Sequence, residues 1–170
     1  DGTFAQPVSY RGSGIVQSVL LADMDGDGIL DLVAEGAAGR IDIYHGNGDG
    51  SFQTVSEGGS GALDGTTGNG GHLIAVGKLG HDANLDILTA TPIGISALLG
   101  QGNLTYKLGG IYNAGPGRTS YAFADFNGDG LPDLAVDSPF GIALLPGEAD
   151  GSFETSLAYP AGQPGLGTVL

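Results

Sequence analysis

Apolar residues occur along this chain in short bursts, each closed by glycine, aspartate or proline. In the first third the bursts predict four strands, at about Val16–Ala22, Leu32–Glu35, Ile41–Tyr44 and Phe52–Val55. No stretch keeps a 3.6-residue apolar period for three turns, so helices are not expected. Runs such as "VLLA" and "IALL" are apolar without alternation, as in strands buried on both faces. Glycine supplies the punctuation, at 34 of 170 residues. It follows no collagen-like period, so it marks many tight turns between short strands.

The pattern repeats. Val19–Gln53 and Ala122–Glu154 share one order of parts: apolar run, aspartate-rich loop, apolar run, short glycine turn, apolar run, then "DGSF". A more diverged copy spans Leu73–Tyr106. The loops start at residues 23, 78 and 125, so the period is about 50 residues, which suits propeller blades or solenoid coils. Four short strands per period predict an all-β fold of four-stranded antiparallel blades, at about 15–57, 72–109 and 118–157. The opening "DGTFAQPVSY" matches the tail of a copy, and "YPAGQPGLGTVL" matches the lead into one. The expected architecture is therefore three complete blades, with partial blades at 1–10 and 160–170. Three blades cannot close a propeller ring, so the sequence predicts a longer chain, an oligomer or a filament.

The aspartate loops carry the chemistry. "DMDGDGILD" places Asp23, Asp25, Asp27 and Asp31 within nine positions, and "DFNGDGLPD" repeats the spacing from Asp125. Such acids repel unless a hard cation lies among them. Acidic side chains at positions 1, 3 and 5, with glycine at 6, are the pattern of a calcium loop. An EF-hand is rejected, because its position-12 glutamate is replaced by Ala34 and Val136 and the flanks are strand-like. The net charge of −14, with only five Lys and Arg, excludes nucleic acid and anionic membranes as expected partners. No cysteine is present, so neither disulfides nor thiolate metal sites are available. No apolar run approaches the length of a membrane-spanning helix.

D-x-[DN]-x-D-G-x-x-D between two strands, repeated about every 50 residues, resembles the FG-GAP/VCBS repeats of integrin α-subunit β-propellers. The string "GNGDGSF" at Gly46–Phe52 is similar to the bacterial secreted members. The resemblance covers essentially residues 1–170. It implies an integrin-alpha-like β-propeller segment with two calcium sites. The first would use the side chains of Asp23, Asp25, Asp27 and Asp31 and the carbonyl of Ile29. The second would use Asp125, Asn127, Asp129 and Asp133 and the carbonyl of Leu131. The middle loop departs from the pattern, with Lys78, Gly80, Asp82 and Asp86 at positions 1, 3, 5 and 9. It is expected to be empty of metal, with Lys78 in place of the ion. The implied role is non-enzymatic: an extracellular adhesion, surface or assembly protein whose partner is a protein, a surface glycan or another copy of itself. The alternatives are a lectin-like propeller and the accessory domain of a secreted carbohydrate-active enzyme.

Other features have plainer readings. His45, His72 and His81 lack metal spacing and are expected as solvated turn residues. "GGSGA" at 58–62 lacks the final glycine of a nucleophile elbow. The glycine-rich stretch 58–71 accounts for most of the extra length of the first period. Phe4, Phe52 and Phe153 recur at equivalent positions and are assigned to blade packing, while Tyr10, Tyr112 and Tyr159 recur just before the next blade.

Overall fold

The computed structural model describes residues 6–12, 14–36, 40–53, 72–91, 94–113, 120–138, 141–154 and 157–160. Phe4, the side chain of Tyr159, the 58–71 stretch and the expected segment beyond 160 lie outside the described residues. Eleven strands and no helix occur among the described residues. They form three antiparallel sheets, each built from strands in chain order.

The first sheet contains β1 (Ser18–Ala22), β2 (Asp31–Glu35) and β3 (Ile41–Tyr44). A bridge between Gly46 and Phe52 extends its far edge, and the rest of the strand expected at 52–55 lies outside the described residues from 54 on. The second contains β4 (His72–Gly77), β5 (Asp86–Thr91), β6 (Gly94–Gly100) and β7 (Tyr106–Tyr112). The third contains β8 (Tyr121–Ala124), β9 (Asp133–Ser138), β10 (Gly141–Leu145) and β11 (Leu157–Pro160). Strand ends differ from the sequence expectation by a few residues. β1 starts at Ser18, and β7 runs to Tyr112, beyond the expected blade end at 109.

The sheets stack face to face. Val33, Ile41 and Ile43 of the first, with Met24, pack on Leu73, Ile87 and Leu98 of the second. Ile74, Leu88, Ile95 and Leu99 of the second pack on Leu134, Val136, Ala143 and Leu145 of the third. Neighbouring residues Ile87 and Leu88 thus serve opposite cores, which is the period-2 alternation of a strand with two buried faces. Every residue of β5 and β6 is buried, and this accounts for their unbroken apolar runs. Each fully buried Leu or Ile here contributes about 1.5–3 kcal/mol from removal of apolar surface.

Aromatic pairs tie sheet to turn. The Phe153 N–H donates to the Tyr112 hydroxyl at 3.0 Å, and the two rings meet edge to face at 5.2 Å. The Phe52 N–H donates to the Tyr10 hydroxyl at 3.1 Å, with rings 5.6 Å apart. Tyr10 therefore does for the first sheet what Tyr112, at the end of β7, does for the third. The packing assigned to Phe52 and Phe153 from their recurrence has this form.

Candidate metal centre

The acidic loops join the first strand of a sheet to the second, β1 to β2 and β8 to β9. Each is wound by its own side chains. Asp23 accepts from the backbone N–H of Gly26 at 2.8 Å and of Gly28 at 2.9 Å. Asp125 does the same with Gly128 at 2.6 Å and Gly130 at 2.9 Å. Position 3 accepts from the N–H of position 5, and position 5 from that of position 7, in both loops. The turns need left-handed backbone at Gly28 (φ 86°) and Gly130 (φ 87°), which side chains other than glycine disfavour. The hydrogen bonds from Gly130 and then Gly128 hold the Asp125 carboxyl below the ordinary range, so it stays ionised.

In the first loop these bonds are accepted by Oδ1 of Asp25 and Oδ1 of Asp27, and they leave each Oδ2 without a backbone donor. One ligand atom each of Asp23, Asp25 and Asp27 lies within 4.8 Å of the others. Oxygens bound to one calcium at 2.3–2.6 Å stand up to about 5 Å apart, so the cluster fits that ion. The third loop is less open. The Asn127 side-chain amide donates to Oδ2 of Asp129 at 2.8 Å, which occupies the oxygen that the first loop leaves free. Among the described residues, no three carboxylates of that loop converge within 4.8 Å. Ile29 and Leu131 sit at position 7, their N–H groups fixed by Asp27 and Asp129.

Position 9 has a further task. Asp31 is wholly buried and accepts from the N–H of Met24 and the N–H of Gly46, each at 2.8 Å. Asp133 receives Phe126 at 2.9 Å and Gly147 at 2.8 Å. Asp86 receives Leu79 and Gly100, each at 2.8 Å, in the loop that lacks the calcium pattern. Asp31 and Asp133, expected as ligands, therefore also pin the loop to the far end of the second hairpin. The three donating glycines are forced by space. A Cβ on Gly46, Gly100 or Gly147 would overlap the carbonyl oxygen of Leu30, Leu85 or Pro132. Burial raises the Asp86 carboxyl pKa against the lowering effect of its two backbone donors.

Lys78 is exposed and makes no ion pair among the described residues, so it does not take the place of an ion beside Asp82 and Asp86. The middle loop is instead braced by the third sheet. The His81 N–H donates to the Ala149 carbonyl at 3.1 Å, and a Cβ on Gly80 would strike the backbone of 149–151.

Two histidines differ from the expectation of solvated turn residues. His72 hydrogen-bonds Glu35 at 2.9 Å across the first and second sheets. His45, at the end of β3, turns into the first acidic loop. Its Nδ1 lies 3.3 Å from Oδ2 of Asp25 and 3.2 Å from Oδ1 of Asp31, and its Nε2 lies 3.8 Å from Oδ2 of Asp27. An open cleft of about 660 Å³ lies over this cluster, lined by Asp25, Asp27, His45, Gln53, Asn103 and Leu104 among others. The sequence held one clue to this contact, the position of His45 just before the glycine that Asp31 anchors.

The FG-GAP-like repeat family matches residues 23–89, and the FG-GAP repeat family matches residues 118–152, together more than half of the chain. No curated protein matches the sequence. Among solved structures, a lectin of Agrocybe aegerita, described for its specific recognition of non-reducing terminal N-acetylglucosamine, matches 82% of this chain at 23% identity and a TM-score of 0.60. The chain spans 37% of the length of that structure.

Proposed function

The chain belongs to the FG-GAP repeat family and is a β-propeller segment, and from that membership we propose that it is a calcium-stabilised, non-enzymatic binding scaffold of an extracellular adhesion, surface or assembly protein. The observation behind this reading is the shared winding of two acidic loops, whose position-1 carboxylates each gather two backbone N–H groups. That winding presents the acids of positions 3 and 5 on one side, where hard cations are taken by oxygen alone. Asp23, Asp25 and Asp27, with the Ile29 carbonyl and Asp31, would hold one ion. Asp125, Asn127, Asp129 and Asp133, with the Leu131 carbonyl, would hold a second once Asn127 releases Asp129. The ion supplies charge neutralisation within the loop and no chemical step. The first loop, already convergent, is the tighter of the two.

Calcium titration by calorimetry, with melting curves in calcium and in chelator, tests this reading. Two ions per chain are expected, at dissociation constants of about 10⁻⁴–10⁻³ M. At about 100 times its dissociation constant one site adds ~2.7 kcal/mol. A melting curve indifferent to chelator would overturn the proposal.

A second reading, binding of a terminal sugar, is favoured by the likeness to the lectin and by the cleft beside His45. Among the described residues that cleft has no Phe, Tyr or Trp in its lining, so recognition there would rest chiefly on polar contacts. A glycan array probed with the calcium-loaded chain decides it, and silence across the array removes this reading.

A further inference from the structure

We propose that Asp25, Asp31 and His45 form a mixed nitrogen–oxygen site for a divalent transition-metal ion, zinc first, which shares Asp25 and Asp31 with the first calcium loop and so competes with calcium there. The three side chains come from separate parts of the first sheet: Asp25 from the loop, Asp31 from the start of β2 and His45 from the end of β3. One ligand atom from each lies within 4.8 Å of the other two.

The imidazole Nδ1 carries the argument. It is buried and has no hydrogen-bond partner. Two carboxylate oxygens nevertheless stand 3.2 and 3.3 Å from it, at hydrogen-bond length but without hydrogen-bond direction. Two ligands at 2.0–2.1 Å from one tetrahedral zinc ion are separated by about 3.3 Å. The observed spacing is thus that of ligands facing a shared ion. The oxygens have lone pairs to give. Asp25 spends Oδ1 on the Asp27 N–H and keeps Oδ2, while Oδ1 of Asp31 accepts a single bond from Gly46 and retains a second lone pair.

The nitrogen sets the choice of metal. Calcium takes oxygen ligands, whereas imidazole suits zinc and its neighbours. The second shell is already built, because the Asp31 carboxylate is oriented by two backbone donors from opposite sides of the loop.

Comparison of the three copies isolates the feature. The aspartate at position 9 bonds to Gly46, Gly100 and Gly147 in turn, so His45, Leu99 and Pro146 occupy the same place. Shared architecture therefore does not require a histidine there. Three protein ligands leave a tetrahedral ion one further position, and the cleft lined by Asp25, His45, Gln53 and Asn103 gives access to the cluster.

The test is zinc titration of the whole chain by calorimetry in calcium-free buffer, on the unmodified chain and on His45→Ala, His45→Gln and His72→Ala. One zinc ion per chain is expected. Affinity should fall at least tenfold in both His45 variants and stay unchanged in His72→Ala. Cobalt in place of zinc should give the visible absorption of a low-coordinate nitrogen–oxygen site, lost in His45→Ala. Zinc binding that survives both His45 variants, or that falls equally in His72→Ala, overturns the proposal, as does an absence of zinc binding. Failure here is separable from failure of the calcium reading. Calcium binding at the Asp125 loop is followed with Asp129→Ala and does not involve His45.

Discussion

Replacing Asp86 by alanine separates what the acidic loops do for the fold from what they do for an ion. The middle loop has lost most of the calcium pattern, yet Asp86 holds the same two bonds as Asp31 and Asp133. Its carboxylate is buried, and so are both donors, Leu79 and Gly100. A hydrogen bond to a charged group contributes about 1.5–3 kcal/mol, and a buried N–H left unpaired costs about 1–3 kcal/mol. Two such bonds bring the loss to about 3–6 kcal/mol. Relief of the buried charge, whose cost is visible in the raised pKa of this carboxyl, pulls the value to the lower end. About 3 kcal/mol in a chain of this size lowers the melting temperature by roughly 6–12 °C. Asp86→Asn should fall between, since its amide oxygen keeps one donor while its NH₂ faces the other. Circular dichroism melts and urea titrations in calcium and in chelator measure both. The expected effect is equal in the two buffers, whereas Asp27→Ala, which loses a single exposed backbone bond in either, should cost much more in calcium than in chelator. A loss below about 1 kcal/mol for Asp86→Ala, or one that vanishes in chelator, would refute the assignment of position 9 as an anchor.

Two further outcomes follow from the same geometry. Tyr112→Phe keeps the edge-to-face ring contact but removes the acceptor of the Phe153 N–H, and should cost about 1 kcal/mol by urea denaturation; an unchanged midpoint would deny the tyrosine its latch role. The Asp150 carboxyl lies below its ordinary pKa, chiefly through the Ser152 hydroxyl and then the Ser152 N–H. A depressed folded value means that its contribution is full above the unfolded pKa, near 3.8, and is lost as pH falls through the folded one. Ser152→Ala should raise the Asp150 pKa in an NMR carboxyl titration and narrow that window, and an unmoved titration would contradict the bond.

Much of the fold is legible in the sequence because each sheet repeats its own punctuation. The acidic loop and the "DGSF" turn fix where strands end, and the unbroken runs of β5 and β6 announce burial on both faces. The edges are less legible. Phe52 is held by a bridge to Gly46 and by the hydroxyl of Tyr10, 42 residues earlier, a contact that no local pattern announces. The site divides likewise. Positions 1, 3 and 5 bond to backbone within five residues, a local pattern that spacing reveals. The second task of position 9 depends on a glycine 14 or 15 residues later, brought near only when the hairpin closes. His45 is barely legible for the same reason: the carboxylates it meets are not its sequence neighbours Asp42 and Asp49 but those of the preceding loop and strand.

The anchoring aspartate has a consequence for how such an array can change over generations. Shape rests on position 9 and its glycine, while the proposed ion affinity would rest chiefly on positions 1, 3 and 5, so the two properties can drift largely apart. A duplicated unit can lose carboxylates from its loop, as the Lys78 loop has, without forfeiting its place in the stack. It can equally acquire a new donor from the strand end, as His45 does, without disturbing the hairpin that carries it. Responsiveness to metals then becomes a quantity that a lineage adjusts one unit at a time, in graded steps, on a frame that stays constant.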